Sequence, residues 1–242
     1  MAVVLAILMA IANKPVRKYR VVLYVIVVII EAYFVFSKYF EYDLITDNRQ
    51  ITSMLTMGIL SEALFAVVAY MGCLPSNHWI TKRFKSVRAE LSVMGCIMGF
   101  AQMIYYANSF VQFFNGELST GRTIACIATL VLLCLMIPLM LTSFYCVRAN
   151  MKQSSWKKLQ KTSYIFYFML WVHILGLYGN FNGGLTDIFS GKHGETLECY
   201  TVIWGVYFIL RFCKFLYDRH KGVKSDDGII QDDDDLVPAR GD

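Results

Sequence analysis

The chain has 242 residues, 57% of them hydrophobic and 15% aromatic, with a mean hydropathy of +0.48 and a formal charge of +5. Apolar residues gathered in long runs exclude a soluble globular domain of ordinary composition and read as an integral membrane protein. The positive balance is not a nucleic-acid footprint, because the basic residues are confined to short connections between apolar stretches.

Residues 1–20 read as a short apolar anchor, Met1 to Ala12, followed by a basic linker from Asn13 to Arg20. Twelve residues cover only about 18 Å as a helix, against a hydrocarbon core of roughly 30 Å. A short span, a half-span and a signal-like segment all remain open, although no small-residue cleavage pattern follows.

Residues 21–217 are expected to form an all-α, polytopic membrane helix bundle with six transmembrane helices. The predicted spans are Val21–Ser37, Ile51–Leu74, Leu91–Phe110, Thr123–Tyr145, Thr162–Tyr178 and Tyr200–Tyr217. Pro138 predicts a kink in the fourth of these, which neighbouring helices can accommodate. Seven cysteines follow no metal-ligand spacing and read as small hydrophobes; only Cys199 falls in an outward-facing loop, so no internal disulfide is expected there.

Lys and Arg concentrate in residues 14–20, 82–88, 148–161 and 211–224, while the intervening loops hold only Lys38, Arg49, Arg122 and Lys192. This alternation predicts a multi-pass protein of the cell membrane, an inner membrane in a two-membrane cell, with its C-terminus cytoplasmic. The stretch 218–242 is polar, with Asp232–Asp235 as a like-charge block, and is expected to be disordered. Its Leu236-Val237-Pro238-Ala239-Arg240-Gly241-Asp242 ending resembles a protease-site remnant and receives no functional weight.

Four polar side chains are expected near one depth. Measured along each helix from its basic end, Glu31 lies about 15 Å in, Gln102 and His173 about 17 Å, and Glu62 about 18 Å. Each is costly in lipid alone, so contact inside the bundle is the economical solution. His173 leads the candidates, because an ionisable ring at the bilayer centre needs a partner or a cofactor. A packing histidine bonded to a neighbouring helix is the plainer alternative.

Gly95, Gly99 and Gln102 share a helix face, and Gly176 sits three residues after His173. Missing side chains there leave room for a flat cofactor, or they form a close helix-packing face of the GxxxG kind. Glu31 and Glu62 read either as neutral, hydrogen-bonded carboxyls or as members of a proton relay. No ligand motif such as a paired Glu-x-x-His supports a metal site made of Glu31, Glu62, Gln102 and His173. His78, His193 and His220 lie in loops or at a helix end, away from this depth. The chain shows no nucleotide-binding glycine loop, no nucleophile–base pair in a soluble site and no flavin domain of its own.

Arg88-Ala89-Glu90-Leu91-Ser92 leading into Gly99-Phe100-Ala101-Gln102, with Ser155-Trp156-Lys157-Lys158-Leu159-Gln160-Lys161 followed by Tyr164 and His173, resembles the ferric-reductase-like transmembrane family. The resemblance covers roughly residues 51–217 and is nearest to the haem-bearing membrane subunits that serve periplasmic methionine sulfoxide reduction. It implies haem b held between helices by histidines, at positions occupied here by Gln102, Gln160 and His173. Two of the three depart from the pattern, and a Gln amide is a poor haem ligand beside imidazole. The resemblance leaves open a haem held by His173 alone or with Met98 or Met103, or a scaffold that keeps a quinone pocket or an anchoring role.

The implied function is a membrane electron-transfer subunit. It would take electrons from quinol or a flavin donor and pass them to an extracytoplasmic redox partner, possible oxidoreductase work shared with another polypeptide. The alternatives are a haem-free membrane anchor or quinone-binding partner of a flavoprotein, and a small proton-coupled transporter using Glu31 and Glu62. Visible inverted repeats are lacking for the transporter. The expected partners are membrane lipid and a redox protein, with no nucleic acid.

Overall fold

The computed structural model describes residues 2–40, 58–74, 79–181, 187–190 and 193–220, and no strand occurs among them. The predicted polar stretch beyond His220 and the first part of the second predicted span, residues 51–57, lie outside the described residues.

Twelve helices are described. The first three are α1 Ala2–Ile11, α2 Asn13–Lys18 and α3 Arg20–Phe40. Then come α4 Ile59–Met71, α5 Trp79–Ser86, α6 Arg88–Tyr105 and α7 Ala107–Phe114. The remaining five are α8 Thr120–Leu141, α9 Tyr145–Ala149, α10 Gln153–Lys161, α11 Ser163–Tyr178 and α12 Gly194–His220.

Among the described residues three helices, rather than the six predicted, are long and apolar enough to cross a membrane: α3 with 21 residues, α8 with 22 and α12 with 27. The difference has local causes. The predicted span Leu91–Phe110 breaks at Tyr106, where α6 ends and α7 begins. Side chains of α3 take over the carbonyls at that end: Lys38 Nζ donates to the Tyr105 carbonyl, and Tyr39 donates to the Ile104 carbonyl at 2.9 Å. The predicted span Thr162–Tyr178 is α11, set off from α10 where the Thr162 and Ser163 hydroxyls donate to the Leu159 and Gln160 carbonyls. At 1.5 Å per residue, the 13 residues of α4 reach about 20 Å and the 16 of α11 about 24 Å.

Pro138 is tolerated inside α8, three residues before its end, where the Thr142 hydroxyl donates to the Pro138 carbonyl at 2.8 Å.

Two apolar clusters share α4 and α6. One α4 face, Leu60, Leu64, Val68 and Met71, packs with α1, α3 and the Leu91–Met94–Met98 edge of α6. The other, Phe65 and Ala69, joins Cys96 of α6 to α8, α11 and α12. The spacings of three and four residues put each set on its own side of one helix, so α4 is the wall between two half-bundles.

Aromatic rings fill the second half. Tyr167 stacks on Trp204 at 5.7 Å between centroids, and Tyr207 meets both edge-on. By contrast α3 buries only Val27 and Glu31, and leaves Val21, Val25 and Ile29 half or more exposed. Outward apolar faces of this kind on α3 and α12 are compatible with membrane association.

Candidate functional site

His173 sits on α11 against α8. Its Nδ1 lies 2.9 Å from Thr129 Oγ1 and 3.1 Å from the Ala125 carbonyl oxygen. A carbonyl only accepts, so the bond to Ala125 requires the proton on Nδ1. The Thr129 hydroxyl already donates to the same carbonyl at 2.7 Å, leaving its lone pairs to face the Nδ1–H. The three groups form one closed knot between two helices, and Nε2 keeps the ring's lone pair.

The glycines next to this knot permit the approach. A Cβ on Gly176 would stand 2.6 Å from the Ala125 backbone nitrogen and 2.8 Å from the Gly121 carbonyl oxygen. Gly121, Ala125 and Thr129, spaced by four, therefore make a small-residue stripe on α8 that Gly176 and His173 of α11 press against. Backbone atoms occupy the space over Gly176. Over Gly99 a built Cβ would make only ordinary contacts, with Met136 Sδ at 3.4 Å and Ser61 Oγ at 3.5 Å, and the Ser61 hydroxyl donates to the Gly95 carbonyl at 2.8 Å. Gly176 serves close helix packing here.

The other members of the expected polar layer find different surroundings. Glu62 accepts a hydrogen bond from Trp204 Nε1 at 2.8 Å, tying α4 to α12. Gln102 lies across the start of α4, with Oε1 1.9 Å from the point a Gly58 Cβ would occupy. Gly58 has φ of 69°, so both its left-handed backbone and the amide above it require glycine. Glu31 is buried on α3, and its Oε1 has no hydrogen-bond partner among the described residues. No described hydrogen bond joins Glu31, Glu62, Gln102 and His173 to one another.

These residues do not fit a haem held by two histidines. Of the three positions implied by the resemblance, only His173 carries imidazole, and the glycine-lined space beside it holds the α8 backbone. Among the described residues no three His, Cys, Asp or Glu side chains gather closely enough to hold a metal ion.

Gln160, the remaining candidate, lines a different feature, a cavity of about 130 Å³ at the Lys- and Arg-rich end of the bundle. The C-terminal ends of α4, α8 and α12 and the N-terminal ends of α6 and α11 converge there. Arg88, Arg148, Lys157 and Lys161 line it, together with Trp156. Arg88 bonds Tyr167, and the Arg148 guanidinium lies 5.6 Å from the Trp156 ring centroid. Trp156 Nε1 is buried with no hydrogen-bond partner among the described residues. Arg211 donates to the Gly72 carbonyl at 3.1 Å and to Tyr164, and Lys214 donates to Gly72 and Leu74 carbonyls at 2.9 and 3.2 Å. These last two cations close the C-terminal end of α4, where its carbonyls concentrate negative potential.

The sequence reading passed over Thr129, Trp204 and this recess. Thr129 was legible as the third member of a stripe spaced by four, and Trp204 as the one indole in the apolar part of the last helix. The basic residues had been read for orientation alone.

No protein-family profile matches the chain, and no solved structure matches it. A Treponema pallidum (strain Nichols) protein described as uncharacterised is 31% identical over 176 residues, which are 71% of this chain and 47% of that protein. The chain thus spans about half the length of the relative, whose description names no activity.

Proposed function

We propose that this chain is a haem-free membrane anchor, a helix-bundle subunit that docks a redox partner and holds no haem of its own. In this reading α4, α6 and α11 complete the set of membrane-embedded helices, since they pack between the three long ones. The Lys- and Arg-rich end faces the cytoplasm, with the C-terminus on that side. The observation that carries the reading is the knot at His173. The ring's Nδ1–H is spent on Ala125 and Thr129, and the glycine beside it lets α8 close over the place a flat cofactor would need.

A second reading, the electron-transfer subunit of the ferric-reductase-like kind, is favoured by one detail of the same knot. An imidazole whose Nδ1–H is fixed by a carbonyl presents Nε2 as a ligand, the arrangement common to metal-bound histidines. A haem b would then rest on His173 alone, and a quinone or a flavin in a partner would supply or take electrons.

An oxidised-minus-reduced absorption spectrum of protein from haem-replete cells, paired with thermal unfolding in detergent, separates the two. The anchor reading expects flat spectra for wild type, His173→Ala and His173→Asn. It also expects Asn, whose amide N–H can replace Nδ1–H, to recover most of the unfolding temperature lost in the Ala variant. A Soret and α-band pair in wild type that disappears in both variants would replace the anchor with the electron-transfer subunit.

A further inference from the structure

We propose that the basic recess at the Lys- and Arg-rich end is a binding site for the phosphate of an anionic membrane lipid. The site is separate from the His173 knot and rests on the membrane placement, not on the choice between anchor and electron carrier.

The charge balance comes first. Arg88, Arg148, Lys157 and Lys161 converge from α6, α9 and α10, and no carboxylate lines the cavity among the described residues. The contacts described for Arg88 and Arg148 are with neutral groups, a phenol and an indole ring. Gathering like charges around one cavity is unfavourable unless an anion joins them. Arg guanidinium forks suit phosphate oxygens in pairs, and lysine adds point charge from a flexible stem. Trp156 Nε1 brings a further buried donor to the same wall, one that no group among the described residues uses.

The walls decide the kind of anion. Toward the bundle the cavity is apolar, with Phe65, Val68, Ala69, Met136, Leu139 and Phe166. Cations stand with Trp156 and Tyr164 on the loop side. A free phosphate would use only the cationic side, whereas a phospholipid matches both, its phosphodiester among the cations and its acyl chains along the helices. Basic pockets between membrane helices take acidic headgroups by the same physics, with the anion at the interface and hydrocarbon below it. Aromatic side chains at that level sit comfortably between headgroup and chain.

The full chain, purified in a zwitterionic detergent at fixed ionic strength, would be titrated with phosphatidylglycerol, phosphatidylcholine or glycerol 3-phosphate while its thermal unfolding is followed. Phosphatidylglycerol should raise the unfolding temperature by several degrees, and the other two should not. In Lys157→Gln/Lys161→Gln the apparent affinity should fall at least tenfold, while Lys14→Gln/Lys18→Gln, which removes equal charge from α2, should behave as wild type. Equal shifts with phosphatidylcholine, or an unchanged response in the first double variant, would overturn the site. A shift reproduced by glycerol 3-phosphate alone would overturn the lipid as its source and leave a soluble phosphate ester in its place.

Should the double variant fail to fold, wild type and Trp156→Phe can be compared for fluorescence quenching by brominated lipids. Excess quenching by the anionic lipid that vanishes with Trp156 supports the site, and its persistence in Trp156→Phe overturns it. Flotation with vesicles reports membrane residence separately, so a soluble protein and an absent lipid site give different results.

Discussion

The interior around His173 and the recess around Trp156 both gather polar groups inside an apolar bundle, yet they close their accounts differently. At the α8–α11 crossing the imidazole N–H, a hydroxyl and a carbonyl satisfy one another within about 3 Å, and small residues bring the backbones together around them. In the recess, among the described residues, cations converge without a lining carboxylate and a buried indole N–H has no acceptor. Polar atoms spent on their neighbours mark assembly of the fold, while those left over mark where something else belongs. The residue that stood out most in the sequence belongs to the first kind.

The hardest way to break this comparison is at Gly176. Any side chain there meets backbone of α8 rather than a yielding rotamer, so Gly176→Leu should cost about 3 kcal/mol or more and leave little monodisperse protein. Size-exclusion profiles and thermal unfolding read the loss. A Gly176→Leu protein with wild-type stability would mean that α8 and α11 stand further apart, with room for a flat group after all.

Trp204→Phe should come next. It leaves Glu62 without its donor and removes the larger ring from the stack with Tyr167, at about 2–3 kcal/mol. In a Glu62→Leu background the same substitution should cost roughly 1 kcal/mol less, because no acceptor is then stranded. Additive costs in the double-mutant cycle would show that the bond between α4 and α12 contributes nothing.

Glu31 sharpens the comparison from the other side. Its Oε1 is buried without a partner among the described residues, so Glu31→Gln or Glu31→Leu should fall within about 1 kcal/mol of wild type or stabilise slightly. A loss beyond about 2 kcal/mol would establish that this carboxyl holds a partner in the membrane and belongs with His173 after all.

The all-α architecture was plain from composition and run length, and the two most apolar long helices, α3 and α8, fall close to their predicted positions. The number of spans was not, for a reason visible at Tyr106. Nothing in Ile104-Tyr105-Tyr106-Ala107 breaks a helix by propensity; Lys38 and Tyr39, more than sixty residues earlier, claim its carbonyls. Depth counted from helix ends placed Glu31, Glu62, Gln102 and His173 at one level, but depth says nothing of azimuth. The rings and glycines between the helices turn the four toward different neighbours. The recess was hidden for the opposite reason: positive loops are expected in any membrane protein, and only their convergence in space separates a pocket from a topology marker.

The Trp204–Glu62 bond spans 142 residues, and the bonds from Arg211 and Lys214 to Gly72 and Leu74 span 139 to 142. During synthesis, α4 is therefore made long before the helix that answers its buried carboxylate and covers its final carbonyls. Every intermediate lacking α12 leaves Glu62 without its Trp204 donor and the Gly72 and Leu74 carbonyls without their cations. A chain halted before Gly194 would lack all of these donors, so the pairing of α4 waits on the synthesis of α12.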